Sequence, residues 1–334
     1  MNKKNIIIII AAIILTACNT SNRKADLRGI DFDVNIMRFD SAFWALDTTN
    51  LPLAFERLEA EYPNITYDYL TRVVNFGEPN NPVTHETYLH FVNDTNVQRL
   101  YNDALEYYKS IDIHEQDLTM AFRRAKYYFP NIEIPKIYTH VSGFNQNIII
   151  GYDFISLSID NYLGSDYDIY QKIGIYEYQK ANMCEEKIVP DYLAAWLTAE
   201  FPLYSLDKNL LADIIYRGKI HYVISQLLPN TPKEVIMGYT QEQWEWVKKN
   251  EKNMWEMLMA TKNLYATDLI TRGRYTNDGP FTLPFTQESP SRAGIYLGWQ
   301  IVDSYMRNNP SISVMQLMQQ PNAQIILTES KYRP

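Results

Sequence analysis

Cysteine is almost absent from this chain of 334 residues, which contains only Cys18 and Cys184. Two cysteines allow at most one intramolecular disulfide, and none if either of them is modified. Cys184 precedes Glu185 and Glu186, whose charges favour the protonated thiol, so we expect no reactive thiolate there. The folded chain must therefore depend on its hydrophobic core for stability.

Motifs that identify common enzyme classes are also missing. The sequence has no glycine-rich phosphate loop, no Gly-x-Ser-x-Gly nucleophile elbow and no His-Glu-x-x-His zinc motif. His85 and His90 come close to the zinc motif, but five residues turn a helix by about 500°, which leaves the two imidazoles about 140° apart. We predict no catalytic residues, no metal site and no cofactor.

Positive charge is scarce as well. The chain has 31 Lys and Arg against 39 Asp and Glu, a formal net charge of -8. This balance argues against nucleic acid as a partner. Apolar residues make up 46% of the chain, which is enough for a sizeable core. The 26 tyrosines suit partly hydrated packing and interfaces, or reflect the composition bias of a lineage.

The beginning of the chain has the pattern of a lipoprotein signal peptide over residues 1–17. Lys3 and Lys4 give a positive start, and Ile6–Leu15 is an apolar run too short for a permanent membrane helix, which needs roughly 17 to 25 residues. Leu15-Thr16-Ala17-Cys18 then has the bulky, small, small, Cys order that precedes lipidation. We predict that Cys18 is lipidated and anchors the protein to a lipid bilayer.

Residues 18–26 are predicted to be a lipidated, flexible tether. They are polar, and no Asp directly follows Cys18, so a signal for retention in the inner membrane is missing. We therefore expect an outer-membrane lipoprotein that faces the periplasm.

Residues 27–334 are predicted to form a single α+β domain, mostly helical with a small central β-sheet. Alternating apolar residues predict a strand over Ile30–Phe39, and two paired strands are predicted at Ile137–Val141 and Asn147–Asp160. Periodic apolar residues, caps and prolines predict helices over 51–62, from Asp94 to Tyr108, from Leu118 to Phe129, over 191–200, 207–228 and 241–264, and from Ser289-Pro290 onward.

The segment 275–302 is the strongest candidate for a binding site. It joins a Gly-Pro turn and a proline-bounded loop to a helix entry that carries a single arginine. Such an arginine either grips a carboxylate or backbone carbonyls of a ligand, or pins the loop. Gly294 and Gly298 are four residues apart and would let another backbone approach this helix closely. The candidate binding residues are Asp278, Arg292, Tyr296 and Trp299.

The chain resembles the gliding-motility lipoprotein GldB family of the Bacteroidetes. The resemblance covers nearly the whole mature chain and lies in the segments Gly218–Tyr222, Leu227-Leu228-Pro229, Gly238-Tyr239-Thr240, Asn277–Phe281, Ser289–Arg292 and Gly294–Val302. It implies a membrane lipoprotein required for gliding that works with other motility lipoproteins and the type IX secretion machinery. Members also occur in bacteria that do not glide.

The body of this family also resembles predicted zinc-dependent proteases. The resemblance implies a zincin-like architecture whose zinc helix would correspond to Val189–Leu197, where this chain has no histidine. A third ligand would fall near Arg217-Gly218, where the acid is missing. Zinc needs three protein ligands to activate water, so the resemblance implies a pseudo-enzyme without an intact metal site.

Three functional hypotheses remain open. The first is a non-catalytic binding or scaffold component of a gliding-motility or type IX secretion-associated envelope complex, with other envelope proteins as partners. The second is a periplasmic peptidase-like hydrolase with ligands drawn from the dispersed histidines His85, His90, His114, His140 and His221. The third is a lipoprotein that binds glycans or peptides in an aromatic cleft.

Overall fold

The computed structural model describes residues 25–204 and 207–334. The predicted signal peptide, Cys18 and most of the predicted tether lie outside the described residues. Within these residues the protein is mostly helical with one small mixed sheet, which confirms the α+β class. A hydrophobic core runs from Ile36 near the start of the body to Ile326 near its end.

The sheet has four strands in the order β1-β2-β4-β3. They are β1 (Ile36–Met37), β2 (Lys136–His140), β3 (Ile148–Ile150) and β4 (Phe154–Ser158). β2 lies parallel to both β1 and β4, whereas β3 and β4 form an antiparallel hairpin. The two predicted strand segments are therefore correctly placed, but the second one folds into two strands around Gly151.

The prediction of a strand over Ile30–Phe39 is wrong except at β1. The backbone N–H groups of Val34 and Ile36 donate instead to the side chains of Thr119 (2.9 Å) and Glu115 (2.7 Å). Alternating apolar residues here pack an extended segment against a helix, because side chains rather than a neighbouring strand satisfy its backbone donors.

The three helices predicted before β2 are confirmed, although the third begins at Asp112 and not at Leu118, and the structure has three further helices in this region that the sequence pattern did not predict. Asp94 caps a helix as predicted, because its side chain accepts from the N–H groups of Asn96 and Val97. Pro63 ends one helix and begins the next, where its missing N–H costs nothing. These helices are α1 (Phe39–Trp44), α2 (Leu51–Glu61), α3 (Pro63–Asp68, continuing as a π-helical turn over Tyr69–Val73), α4 (Pro82–Asn93), α5 (Thr95–Tyr107) and α6 (Asp112–Tyr128).

After β4, the described residues form helices joined by loops and contain no further strand. The predicted capping box is confirmed, with reciprocal hydrogen bonds between Thr240 and Gln243. The elements are α7 (Asp168–Lys172), α8 (Glu177–Lys180), α9 (Ile188–Glu200), α10 (Leu210–Leu227), α11 (Lys233–Met237), α12 (Gln241–Ala260), α13 (Leu269–Thr276), α14 (Ala293–Asn308), α15 (Val314–Gln319) and α16 (Ala323–Ser330).

Helices α10 and α14 approach each other closely through glycine, as the sequence predicts. A Cβ atom on Gly298 would lie 1.8 Å from the carbonyl oxygen of Ile214, and one on Gly218 would lie 2.4 Å from the carbonyl carbon of Gly298. Gly294 similarly makes room for Tyr275 of α13. Any side chain at Gly298 would therefore force the two helix backbones apart.

Helix α14 begins at Ala293, three residues later than Pro290, where the sequence predicts its first turn. Arg292 has a φ of 57°, in the left-handed region, so the helix cannot include it. The backbone N–H of Ala293 donates to Thr282 Oγ1 at 2.9 Å, which caps the helix from a neighbouring loop. This turn aims the Arg292 side chain at the end of α11, where Nη2 donates to the carbonyl oxygen of Met237.

Candidate functional site

A polar cleft of about 360 Å³ lies beside the first turns of α9 and α14. The residues that matter for its chemistry are Asn161, Asn182, Lys187, Asp191, Asp278 and Arg292. We call it the Arg292 cleft. Its walls come from five separate parts of the chain, namely the loop between β2 and β3, the turn after β4, α8 with the residues on either side of it, the start of α9 and the loop before α14.

Arg292 is fixed at both ends of its guanidinium group. Its Nη2 donates to the carbonyl oxygen of Met237 at 3.0 Å, and its Nε lies 2.9 Å from Asp278 Oδ1. The two partners differ in environment, because the Arg292 side chain is 19% exposed and that of Asp278 is 70% exposed. The cation is therefore held by the fold, while the carboxylate lies mainly in solvent.

Lys187 and Asp191 form the second ion pair of the cleft, one turn apart at the start of α9. Lys187 Nζ lies 2.9 Å from Asp191 Oδ1 and donates to the carbonyl oxygen of Val235 at 3.1 Å. The hydroxyl group of Tyr162 donates to the other oxygen of Asp191 at 3.1 Å. Burial raises the pKa of Tyr162, so this hydroxyl stays a donor.

The end of α11 anchors both cations of the cleft. Val235 and Met237 supply the two carbonyls, and the carbonyl end of a helix attracts positive charge. Gly238 follows with a φ of 75°, and a Cβ atom there would lie 2.7 Å from Asn182 Oδ1 and 2.9 Å from Arg292 Nη2. Glycine is thus needed both for the turn and for the close approach of these side chains.

Three segments that carry the family resemblance meet at this point. Gly238 contacts Arg292, Arg292 pairs with Asp278, and the hydroxyl of Tyr239 donates to the carbonyl of Ser291 at 2.7 Å. The segments Gly238–Thr240, Asn277–Phe281 and Ser289–Arg292 are far apart in the sequence. The structure brings them together at the wall of the Arg292 cleft that Asp278 and Arg292 form.

Helix α10 adds positive charge behind this wall. Arg217 Nη1 donates to the carbonyl of Thr276 at 3.0 Å, two residues from Asp278. His221 Nδ1 lies 2.8 Å from the carbonyl of Arg217, one turn earlier. Burial lowers the pKa of His221, and the charges of Arg292 and Lys187 lower it further. His221 is therefore neutral near pH 7, and the positive charge that α10 adds here is that of Arg217.

The structure divides the four predicted binding residues into two pairs. Asp278 and Arg292 line the Arg292 cleft together, whereas Tyr296 and Trp299 are buried in the helix packing. The Tyr296 hydroxyl donates to Glu251 Oε2 of α12 at 2.7 Å. The ring of Trp299 packs against Trp244 of α12, with a centroid distance of 6.1 Å.

The sequence pattern did not single out Lys187, Asp191 or Asn182 as cleft residues. A Lys and an Asp four residues apart at a helix start are a weak signal, because the same spacing occurs on ordinary solvated helix faces. The contacts that distinguish this pair, with the Val235 carbonyl and the Tyr162 hydroxyl, come from segments 48 and 29 residues away in the chain.

Residues 20–334 match the protein family described as gliding motility protein GldB. The chain belongs to this GldB family. No curated protein and no solved structure matches the chain. The match includes every residue of the Arg292 cleft, so the cleft is part of the GldB-family body and not an addition to it.

The histidines of this GldB-family chain lie apart from one another. His85 Nε2 lies 2.8 Å from the carbonyl of Pro79, His114 lies against Glu185, and His140 Nδ1 lies 2.8 Å from Ser156 Oγ. Among residues 25–204 and 207–334, no three His, Cys, Asp or Glu side chains are grouped so as to hold a metal ion. Nor does any helix in these two ranges have the length and apolar character needed to cross a membrane.

The remaining cysteine behaves as its neighbours predict. Burial, together with a hydrogen bond involving Glu186, raises the pKa of the Cys184 thiol to about 11. A thiol with this pKa carries almost no thiolate near neutral pH, and the thiolate is the nucleophilic form.

Proposed function

We propose that this GldB-family protein is a non-catalytic, membrane-anchored lipoprotein that binds a partner in a gliding-motility or type IX secretion-associated envelope complex. The family match supports the link to gliding motility and to lipoproteins. The order of residues at Leu15-Thr16-Ala17-Cys18 supports lipidation at Cys18. On this proposal the lipid lies in the outer membrane and the body faces the periplasm.

The convergence of three distant segments on the Arg292 cleft is the observation that carries the binding role. Lys187 and Arg292 are held in place by backbone carbonyls, which fixes two cations before any partner arrives. Preorganised charged groups in a concave site favour recognition, since little side-chain freedom is lost on binding. We therefore assign partner binding to this cleft.

We also propose that the body keeps the architecture of the zinc proteases it resembles, without their metal. Two observations support this. The segment Val189–Leu197, which corresponds to the zinc helix, carries Asp191 into the Arg292 cleft. Arg217, at the place of the third ligand, lies close to Asp278 and Arg292 and interacts with their charges.

Metal analysis tests the pseudo-enzyme part of the proposal. We expect the purified protein to contain far less than one zinc per chain, even after incubation with zinc and removal of the excess. A stoichiometric zinc ion would contradict this part and would favour the hydrolase hypothesis.

Crosslinking in intact cells tests the anchored binding role. The wild-type protein and Cys18→Ser would each be crosslinked and purified through a C-terminal tag. We expect motility or secretion components to be recovered with the wild-type protein and lost with Cys18→Ser, while the fold of the body stays intact. Normal membrane retention and processing of Cys18→Ser would contradict lipid anchoring, and no recovered partner with either protein would contradict the binding role.

A further inference from the structure

We propose that the Arg292 cleft recognises a carboxylate of a partner peptide, which replaces the Asp278 carboxylate on Arg292. This inference rests on the proposed binding function and names the chemical group that the cleft recognises. Asp278 then acts as an internal stand-in for the ligand and keeps Arg292 paired while the cleft is empty.

The unequal exposure of the ion pair is the first argument. Arg292 is largely buried, so leaving its charge unpaired would be costly. Asp278 is mostly exposed, so it can return to water with little loss of hydration. An exchange of one carboxylate for another therefore keeps the buried cation paired at every stage.

The geometry of Arg292 is the second argument. Its Nη2 is committed to Met237, and Asp278 reaches Nε at 2.9 Å without a well-aligned hydrogen bond. Asp278 thus neutralises Arg292 without making full use of its donors. A carboxylate that enters from the cleft can align with Nε and a free guanidinium N–H, as the planar fork of arginine allows.

The rest of the cleft fits a peptide. Asn182 lines the cleft and is partly exposed, so its side-chain amide can match the donors and acceptors of a peptide backbone. Asn161 lies deeper and is buried, and its amide donates to Ser142 Oγ at 3.3 Å. Lys187 lies in the same cleft and adds a second fixed cation. The volume of about 360 Å³ falls within the range of ligand pockets, roughly 300 to 1,000 Å³.

A small set of peptides tests the inference directly. The probes are acetyl-tetra-alanine with a free carboxyl end, the same peptide with an amidated end, and an amidated version with Glu as the third residue. The processed lipoprotein in detergent would be titrated with each at millimolar concentration, and binding would be measured from the rise in melting temperature. Comparison of the two carboxylate sources tells a chain terminus from an acidic side chain.

We expect at least one carboxylate peptide to bind five-fold or more tightly than the neutral amide. Asp278→Asn removes the competing carboxylate and should tighten that binding about three-fold or more. Arg292→Gln should abolish the preference for the carboxylate, and Arg292→Lys should weaken it. Arg272→Gln is the matched control, because Arg272 is also largely buried and pairs with Asp213 (2.6 Å) outside the cleft.

Two results would overturn the inference. One is equal binding of the acid and amide peptides to the wild-type protein. The other is weaker carboxylate binding by Asp278→Asn, which would show that Asp278 holds the ligand and is not its stand-in. If the carboxylate peptides bind no more tightly than the amide but recovery of partners from cells still depends on Arg292, the proposed function stands and only the carboxylate inference is contradicted.

Discussion

The stretch of chain from Asp278 to Trp299 has two parts with opposite environments: the first lines a polar cleft, and the second is buried in helix packing. At the start of α14, Arg292 adopts a left-handed backbone and meets an exposed carboxylate in a polar cleft. Within α14, Gly298 lets the backbones of α10 and α14 come into contact, and Tyr296 and Trp299 are buried against α12. The comparison shows that large aromatic residues a few positions after an arginine that lines a cleft can be buried in helix packing.

The two regions therefore predict different consequences of mutation. Changes in the helix contact should reduce stability, with partner binding affected only through loss of the fold. Changes in the Arg292 cleft should alter binding and leave stability nearly unchanged.

Gly298→Ala should have the largest effect. Its Cβ atom would lie 1.8 Å from the carbonyl oxygen of Ile214, so α10 and α14 must separate. We expect a loss of at least about 3 kcal/mol in the free energy of unfolding, at the upper end for overpacked cores. Chemical denaturation measures it.

Gly279→Ala is the control for this change. A Cβ atom on Gly279 would meet its nearest neighbour, the carbonyl of Phe281, at an ordinary 3.7 Å. Equal stability of the two variants would contradict the close contact between α10 and α14.

The second largest effect on stability should come from acid, which destabilises the packed interior. Burial lowers the pKa of His140 to about 3, whereas an unfolded histidine titrates near pH 6.5. The unfolded state therefore binds more protons, and this contribution to stability is complete above about pH 6.5 and is lost as the pH falls toward 3. We expect a loss of about 2 kcal/mol between pH 7 and pH 5.

His140→Asn should remove the contribution of this one histidine, about 2 kcal/mol between pH 7 and pH 5, measured by denaturation at several pH values. A further contribution should remain from His221, whose pKa burial also lowers. The exposed His90→Asn is the control and should leave the slope unchanged. An unchanged slope in His140→Asn would show that other groups cause the acid sensitivity.

Tyr296→Phe should reduce the free energy of unfolding by less than either of these changes. It removes the hydroxyl that donates to Glu251, although the hydroxyl of Tyr332 still donates to the same carboxylate at 2.6 Å. We expect a loss of about 1.5 kcal/mol in stability, as for a hydrogen bond to a charged group. Recovery of crosslinked partners should not change, and a loss of partners at normal stability would return Tyr296 to the binding site.

Asp278→Asn should have the smallest effect on stability, a loss of about 1 kcal/mol or less, because the Asp278 side chain lies mainly in solvent and asparagine keeps a side-chain oxygen beside Arg292. Denaturation of this variant next to the wild type measures it. A loss above about 2 kcal/mol would show that Asp278 mainly holds the loop in place.

Much of the fold could be predicted from the sequence because local signals agree with the packing. The caps at Asp94 and Thr240, and the close approach at Gly298, all follow from local rules. The strand prediction over Ile30–Phe39 was wrong except at β1, because alternation shows only that one face of the segment is buried. The side chains of Thr119 and Glu115 accept the hydrogen bonds from the backbone N–H groups of Val34 and Ile36.

The candidate site was less predictable. Asp278 and Arg292 stand in an unusual loop that the sequence reveals, but Lys187 and Asp191 become part of the site only through Val235 and the fold. Tyr296 and Trp299 follow Arg292 in the chain but do not line the cleft. Their burial depends on α12, which no local pattern in α14 encodes.

A photo-crosslinking amino acid placed at two positions in living cells tests the central claim most directly. Tyr178 lines the Arg292 cleft, and Tyr152, which is 98% exposed, lies in the turn between β3 and β4. If the cleft binds the partner, the probe at position 178 should give a discrete crosslinked motility or secretion protein that disappears with Arg292→Gln, and the probe at position 152 should give none. A partner captured at position 152 and not at 178, or capture at 178 that is insensitive to Arg292→Gln, would contradict the account.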